Sequence, residues 1–288
     1  MISAAPARST VTAPSEATPD LDDLTRRVPG QALMAECIRH QAARHPRGRI
    51  ARVLGVHAVA PDARSWYVGA LGERITARLL DALGPEYVVL HSVPVSESGT
   101  DIDHLVVGPI GVVAINTKHL RDARVWVAGD TVMVNGHREP FVRVARSERR
   151  RVVRTMAQRT LPVTPVTSIV AVVDPASVAI RSAPEDVLVL DARRLVRTLR
   201  RMPEVLGHDA VWALAGALSS GSTWIDHAAP EDEGVVPRFA AIEREARIAR
   251  IVRLAWAGGG CAALAGGAVL AVAAIPGLMA MVTAVTGS

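Results

Sequence analysis

Gly-Thr-Asp-Ile-Asp-His-Leu-Val-Val-Gly-Pro-Ile-Gly-Val-Val-Ala-Ile-Asn-Thr-Lys, residues 99–118, is the stretch that decides the fold. Two apolar runs in it flank a Gly-Pro-Ile-Gly turn, and this pattern predicts a β-hairpin. Polar residues stand at the outer end of each strand, and a hairpin folds these ends back beside one another. We therefore expect Asp103, Asn116 and Lys118 to lie close together at one end of a buried pair of strands.

Lys118 is the only lysine in the chain, which otherwise uses arginine as its strong base. Arginine stays charged, whereas lysine is a compact donor whose pKa can be shifted, so a single retained lysine indicates a need for an amine. Asn116 and Lys118 are two residues apart on a predicted strand and so face the same way. The alternative is that the one lysine has no special role.

A helix is predicted over residues 66–84, because its leucines and isoleucine recur on one broad face. Arg74 and Arg78 fall on the opposite face, but Glu73 falls beside Leu80 at the edge of the apolar face. Glu73 is therefore a candidate site residue. The alternatives are a glutamate at the rim of the core, or one that suits the helix N-terminus.

The rest of the folded region alternates strands and helices, and its second long helix, over residues 141–159, carries an arginine stripe. Such a stripe can contact phosphates, although an ordinary solvated face has the same appearance. The stripe consists of Arg143, Arg146, Arg150 and Arg154. The other predicted elements are a strand at 87–93, a hairpin at 124–127 and 131–134, a buried strand at 163–173, strands at 177–180 and 187–190, and helices at 192–201 and 208–219.

Composition divides the 288 residues into unlike parts. The net charge of +5 is compatible with a polyanionic partner, and two distant cysteines, Cys37 and Cys261, argue against a disulfide or a cysteine-based metal site. The last 35 residues contain no charged side chain, which predicts a membrane span, and the arginines before it place the N-terminal part in the cytoplasm. In chain order we expect a disordered or short helical region at 1–48, a folded domain at 49–220, a linker at 221–240, a basic juxtamembrane helix at 241–253 and a transmembrane segment at 254–285.

The polar cluster suits a hard cation. Mg²⁺ takes oxygen ligands, often one or two carboxylates with water, and Asp103, the Asn116 carbonyl and Glu73 offer such oxygens. A metal at this position can polarise a phosphate and activate water. The amine of Lys118 can then position the water, deprotonate it, or stabilise the charge that develops on phosphorus.

Three segments together resemble the NERD, or nuclease-related, domain: Gly-Ala-Leu-Gly-Glu at 69–73, Ile-Asp-His-Leu-Val-Val-Gly-Pro at 102–109, and Gly-Val-Val-Ala-Ile-Asn-Thr-Lys at 111–118. The resemblance covers a core at 65–159 of the 49–220 domain. It implies an α+β fold of the restriction-endonuclease-like PD-(D/E)xK class, with a mixed central sheet flanked by helices. It also implies catalytic roles for Glu73, Asp103 and Lys118, with Mg²⁺ or Mn²⁺ as cofactor.

The chain departs from that pattern at Asn116, where the family more commonly has an acid. Asparagine keeps the oxygen but loses the negative charge, and so should bind a metal more weakly. The resemblance leads us to expect a membrane-tethered, metal-dependent nuclease that hydrolyses phosphodiester bonds of DNA, in preference to RNA. Two alternatives are a catalytically weakened domain that binds nucleic acid and a membrane-attached interaction module.

Overall fold

The hairpin at the centre of the sequence argument forms, and it lies inside a mixed sheet. A computed structural model describes residues 24–43, 47–95, 101–224 and 234–258. The strands of these ranges, in chain order, are β1 (Val88–Pro94), β2 (Asp101–Gly108), β3 (Gly111–His119), β4 (Arg124–Ala128), β5 (Thr131–Val134), β6 (His137–Glu139), β7 (Val166–Val173), β8 (Ser177–Ser182) and β9 (Val187–Asp191).

The main sheet has five strands in the order β1-β2-β3-β7-β9. β1, β2 and β3 are antiparallel, whereas β7 joins β3 in parallel and β9 joins β7 in parallel. The turn of the hairpin needs a glycine, because Gly111 has φ +93° and a Cβ there would lie 2.7 Å from the carbonyl oxygen of Pro165. Because β3 pairs with β2 on one side and with β7 on the other, it is a central strand, and it is buried on both faces.

The strands that follow β3 form a second sheet, of order β6-β5-β4-β8, whereas the sequence led us to expect one central sheet. β4 and β5 form the predicted second hairpin, and β8 pairs with β4 in parallel, with Val125 opposite Val178. This parallel pairing joins segments far apart in sequence, which strand patterns alone do not reveal. The mixed α+β class agrees with the prediction.

Helices cover the main sheet on both faces. They are α1 (Gln31–Ala42), α2 (Arg49–Val53), α3 (Arg64–Leu80), α4 (Phe141–Gln158), α5 (Leu195–Leu199), α6 (His208–Ser219) and α7 (residues 235–258). Short 3-10 turns lie at Leu24–Arg26, Pro61–Ala63, Ala192–Arg194 and Gly221–Thr223. The predicted helix at 192–201 is thus split into a 3-10 turn and α5. Its predicted cap is confirmed, since the Asp191 side chain accepts a hydrogen bond from the backbone amide of Arg193.

Successive residues of β3 point into different cores. Val113 and Ile115 pack with α3 and α5, whereas Val112 and Ala114 pack with α4 and α6. A third layer forms outside α3, where Phe239 of α7 is fully buried in a cluster with residues of α1. Helices from both ends of the described chain therefore pack against the helix that carries Glu73.

The predicted C-terminal transmembrane helix at 254–285, and with it the single-pass membrane location, is wrong. None of the helices in the described ranges combines the length and the apolar character that crossing a bilayer requires. Residues 254–258, where the span was expected to begin, are the last turn of α7, and Trp256 Nε1 donates a hydrogen bond to the carbonyl oxygen of Val53, 2.8 Å away, at the end of α2. An apolar composition alone led to the prediction, and it did not show this contact. The rest of the predicted span, the 1–23 part of the N-terminal region and 225–233 of the predicted linker lie outside the described residues.

Candidate functional site

The ends of β2 and β3 meet as the hairpin pattern predicts. The backbone amide of Thr117 donates a hydrogen bond to Asp103 Oδ2 at 2.6 Å, so the Asp103 side chain closes the open end of the strand pair. Asn116 lies one residue beyond the last ladder pair, His104 with Ile115, and so sits beside Asp103. Asp103 of β2 is thereby brought beside Asn116 of β3, the strand that also carries Lys118.

Lys118 lies near the end of β3, in the middle of this cluster. Its Nζ is 5.6 Å from the centroid of the Phe141 ring at the start of α4, close enough for a cation–π contact. Its positive charge opposes the rise in the pKa of each of three surrounding carboxyls, those of Glu73, Asp103 and Glu148. The lone lysine is therefore the cation of an acidic cluster.

Glu73 enters the cluster from α3, on the other side of β3. The helix can approach closely because Gly72 has no side chain: a Cβ there would lie 2.7 Å from the Cβ of His119. A hydrogen bond between the Thr76 and Thr117 hydroxyl oxygens, 3.2 Å apart, holds the same two elements together. Glu73 is only 5% exposed, so it is not the solvated rim residue that was the alternative.

The carboxyl of Glu73 has a strongly altered acidity. Burial raises its pKa well above the usual value, and the charge of Asp103 raises it further. Lys118 and a hydrogen bond from the backbone of Gly30 act in the opposite direction. Gly30 precedes α1, and a Cβ at that position would lie 3.2 Å from the backbone of Ala70 in α3. The N-terminal helical region therefore contributes to the site.

Glu148 is the residue of the cluster that the sequence reasoning missed. It lies on α4, is 4% exposed, and its Oε1 accepts a hydrogen bond from Asn116 Nδ2 at 2.7 Å. Burial, and after it the charge of Asp103, raises the pKa of Glu148 to about 8. Its other oxygen, Oε2, and Asn116 Oδ1 are buried without a hydrogen-bond partner. The amide that replaces the expected acid at position 116 is thus bonded to an acid from a helix.

A signal for Glu148 was present in the sequence. It stands in the run Arg-Ser-Glu-Arg-Arg-Arg, which is typical of a solvated face. Set at 100° per residue, however, Glu148 falls next to Val152 and Ala145, which are both fully buried, at the edge of the buried face. The reasoning that singled out Glu73 at the edge of an apolar face applies equally to Glu148.

The two aspartates at the end of β2 are also shifted. Burial raises the pKa of Asp103, while Lys118 and the Thr117 amide act to lower it. Burial raises the pKa of Asp101 to about 6, and Arg27 opposes the shift. Acids with raised pKa values around one lysine are typical of functional sites, because a fold gains little stability from carboxyls that are costly to ionise.

The predicted arginine stripe lies on α4, and its members have different environments. Arg143, Arg150 and Arg154 are exposed. Arg146 instead forms ion pairs with Asp130, at 2.8 Å, and with Asp186, at 2.6 Å, so its charge is already matched by two carboxylates. The exposed three arginines are the ones available to a phosphate backbone.

In the described ranges no three Asp, Glu, His or Cys side chains are close enough together to form a metal-binding group. The oxygens at the cluster nevertheless fit a hard cation, because Mg²⁺ is often held by one or two carboxylates together with water and substrate phosphate. Asp103 supplies one carboxylate, and the unpartnered Asn116 Oδ1 and Glu148 Oε2 supply buried oxygens that lack a hydrogen-bond donor. The donor set is therefore compatible with Mg²⁺ or Mn²⁺.

At one end of the main sheet of this α+β protein, one lysine thus acts electrostatically on three carboxyls. Residues 68–173 match the family model of the nuclease-related domain, NERD. The matched residues include Glu73, Asp103, Asn116, Lys118 and Glu148. No curated protein and no solved structure matches the chain.

Proposed function

We propose that the protein is a metal-dependent nuclease that hydrolyses phosphodiester bonds of DNA at the cluster around Lys118. The observation that carries the proposal is one ammonium acting on three carboxyls, two of which, Glu73 and Glu148, are buried on opposite sides of β3. An interaction module would derive little stability from such a group, since a buried carboxyl is costly to ionise. The match of residues 68–173 to the nuclease-related family model supports a nuclease-related function.

In this proposal the role of each residue follows from its charge. Asp103 and Glu73 would hold Mg²⁺ or Mn²⁺, with the Asn116 carbonyl as a neutral ligand, and the ion would polarise the phosphate and lower the pKa of water. Water oxygen bonds to phosphorus, the bond from phosphorus to the sugar oxygen breaks, and the proton lost by the water is balanced by one gained by the leaving oxygen. Lys118 donates a hydrogen bond to the negative charge that develops on the phosphate oxygens.

DNA would be held by the exposed arginines of α4. Arg143, Arg150 and Arg154 lie on the exposed face of the helix whose buried face carries Glu148, and a phosphate backbone would contact them there. Such contacts release counterions, and affinity should fall steeply with salt. Replacing all three by alanine should weaken DNA binding and reduce its salt dependence, as measured by fluorescence anisotropy between 50 and 200 mM salt.

The test is a cleavage assay on the purified full-length chain with Mg²⁺, with Mn²⁺ and with EDTA, on linear and circular DNA and on RNA. Lys118→Ala should reduce cleavage by at least ~100-fold and leave DNA binding nearly unchanged, since the ammonium acts on charge that develops only in the transition state. Arg124→Ala, which removes one exposed positive charge at the start of β4, is the matched control and should cleave like the wild type.

Two outcomes would contradict the nuclease proposal. If the wild type cleaves none of these substrates with either metal, the domain is not an active nuclease, and retained DNA binding would then favour a nucleic-acid-binding role. If Lys118→Ala cleaves as fast as the wild type, the activity does not arise at this cluster.

A further inference from the structure

Glu148 and Asn116 form a buried pair that the fold leaves incomplete. Asn116 Nδ2 donates to Glu148 Oε1 at 2.7 Å, which satisfies one oxygen of the carboxyl. Glu148 Oε2 and Asn116 Oδ1 are both shielded from water and have no donor among the described residues. Buried polar atoms in folded proteins are almost always paired, so two unpaired oxygens on two hydrogen-bonded side chains indicate a group that binds there.

The backbone fixes the position of this pair. α4 packs on β3 and β7 through Ala145 and Val152, the buried residues on either side of Glu148, and the Ser168 hydroxyl on β7 donates to the Ala145 carbonyl oxygen at 3.0 Å. Glu148 is therefore held against β3 by the core. Its position does not depend on the side-chain flexibility that an exposed glutamate has.

The surrounding charges select a cation. Asp103 and Lys118 both act on the Glu148 carboxyl, the first repelling its charge and the second attracting it, and Arg151 also attracts it. The group that completes the pair must accept lone pairs from a carboxylate oxygen and an amide oxygen. A second hydrogen-bond donor or a hard cation does so, and the nearby carboxylate of Asp103 favours the cation.

We propose that Glu148 supplies from helix α4 the metal-binding carboxylate that the Asn-Thr-Lys triplet lacks at position 116. In this arrangement Asp103 and Glu148 provide the two negative charges, and Asn116 Oδ1 is a neutral ligand that its bond to Glu148 orients. The second carboxylate then comes from the helix and not from the strand, and the site keeps two negative charges. The inference rests on the proposed nuclease function for its biological meaning, but the metal site it describes can be tested by itself.

The experiment measures Mn²⁺ binding to the full-length chain by electron paramagnetic resonance, with no nucleic acid present. Glu148→Gln keeps the shape and hydrogen-bonding capacity of the side chain and removes its charge, and it should weaken Mn²⁺ binding by at least about tenfold. Glu185→Gln makes the same chemical change on an exposed glutamate just before β9, at the opposite end of the sheet, and should bind Mn²⁺ like the wild type.

A charge exchange distinguishes a ligand from a residue that only supports the fold. The double variant Asn116→Asp/Glu148→Gln moves the negative charge across the 2.7 Å hydrogen bond with almost no change in volume. If Glu148 is a metal ligand, this variant should recover Mn²⁺ affinity to within about fivefold of the wild type. A purely structural role for Glu148 predicts no recovery.

The outcomes separate this inference from the nuclease proposal. Mn²⁺ affinity in Glu148→Gln equal to that of the wild type overturns the role of Glu148, even if the wild type cleaves DNA. Wild-type protein that binds no Mn²⁺ also overturns it, and cleavage that survives EDTA would then show a nuclease that works without this ion. Loss of binding in Glu148→Gln with recovery in the exchange variant supports the inference whether or not a substrate has been found.

Discussion

Helix α4 carries two charged clusters, and they differ in almost every respect. On its outer side Arg146 donates to both Asp130, at 2.8 and 2.9 Å, and Asp186, at 2.6, 2.8 and 3.0 Å. These bonds lower the pKa of both aspartates. On its inner side Glu148 is buried, has one unpartnered oxygen, and has a raised pKa.

The pKa values of the carboxyls shift in opposite directions in the two clusters, and this difference separates their roles. A carboxyl whose pKa falls in the folded protein is stabilised by partners that the protein itself provides. A carboxyl whose pKa rises destabilises the folded protein when it is ionised without a bound ligand. The Arg146 cluster ties α4 to the second sheet and to the segment before β9, whereas the Glu148 cluster keeps a carboxyl oxygen without a partner.

The change with the largest expected effect places an acid at position 116. Asn116→Glu sets a second carboxyl against Glu148, replacing a donor 2.7 Å away by a like charge. We expect the metal-free variant to lose about 3 kcal/mol of unfolding free energy at pH 8, measured by urea denaturation. At pH 5, where one proton can be shared, the loss should be smaller.

The same variant tests whether the asparagine at position 116 limits cleavage. Because Glu148 already provides a carboxylate there, Asn116→Glu should not increase cleavage strongly. A large gain in cleavage, with unfolding free energy unchanged, would show that the strand position is where the acid is needed, and Glu148 would lose its proposed part.

The second prediction concerns pH. The pKa of Glu148 is near 4.5 in an unfolded chain and about 8 in the folded one, so between these values the folded protein keeps a proton that the unfolded chain has released. Stability should therefore fall as pH rises from 5 to 8, by about 3–4 kcal/mol from this group. Urea denaturation in EDTA should show that Glu148→Gln makes this fall in unfolding free energy less steep. The fall should not disappear, because the pKa values of Glu73 and Asp103 are also raised. An unchanged slope would mean that Glu148 is ionised at neutral pH.

The third and smallest effect lies in the paired cluster. Asp186→Asn removes one of the two partners of Arg146, and Asp186 is about one third exposed, with 32% of its side-chain surface accessible. We expect the Tm at pH 7 to fall by about 1–2 °C, because exposed ion pairs contribute little. The pH dependence has the opposite sign to that of Glu148: the stabilisation is present above pH 3.8 and is lost as pH falls through the lowered pKa. Calorimetry in 0.5 M salt should show a still smaller difference in Tm between the variant and the wild type. A larger difference in Tm would exclude an ordinary surface ion pair.

Much of the fold could be predicted because its signals are local. The hairpin has its turn residues and apolar runs in one short stretch, and His208–Ser219 forms a helix with the predicted ends. The second sheet could not be predicted, because the pairing of Val125 with Val178 depends on how distant segments meet. The membrane prediction failed because residues 254–258 are apolar in composition but belong to a helix that contacts α2.

The sequence predicted the proximity of the hairpin residues and a contribution from Glu73 of α3, but it missed what α4 brings to the cluster. Asp103, Asn116 and Lys118 lie on paired strands, so their proximity follows from the hairpin register. Glu148 and the partners of Arg146 depend on how α4 is rotated against two sheets, and a helical wheel shows which face a residue shares but not what lies opposite it. For the same reason the sequence did not reveal that Glu148 bonds to Asn116, or that Arg146 of the stripe is paired with two aspartates.

The hydrogen bond from Gly30 to Glu73 bears on where a working fragment of this protein can be cut. The family match begins at residue 68, yet the carboxyl of Glu73 is bonded to a backbone group that lies well before it. A recombinant fragment limited to 68–173 would expose that carboxyl, and with it the surface of α3 that α1 and Phe239 cover. Sequence similarity thus marks a segment shorter than the one that can be expressed intact, and useful boundaries begin no later than Leu24 and include α7.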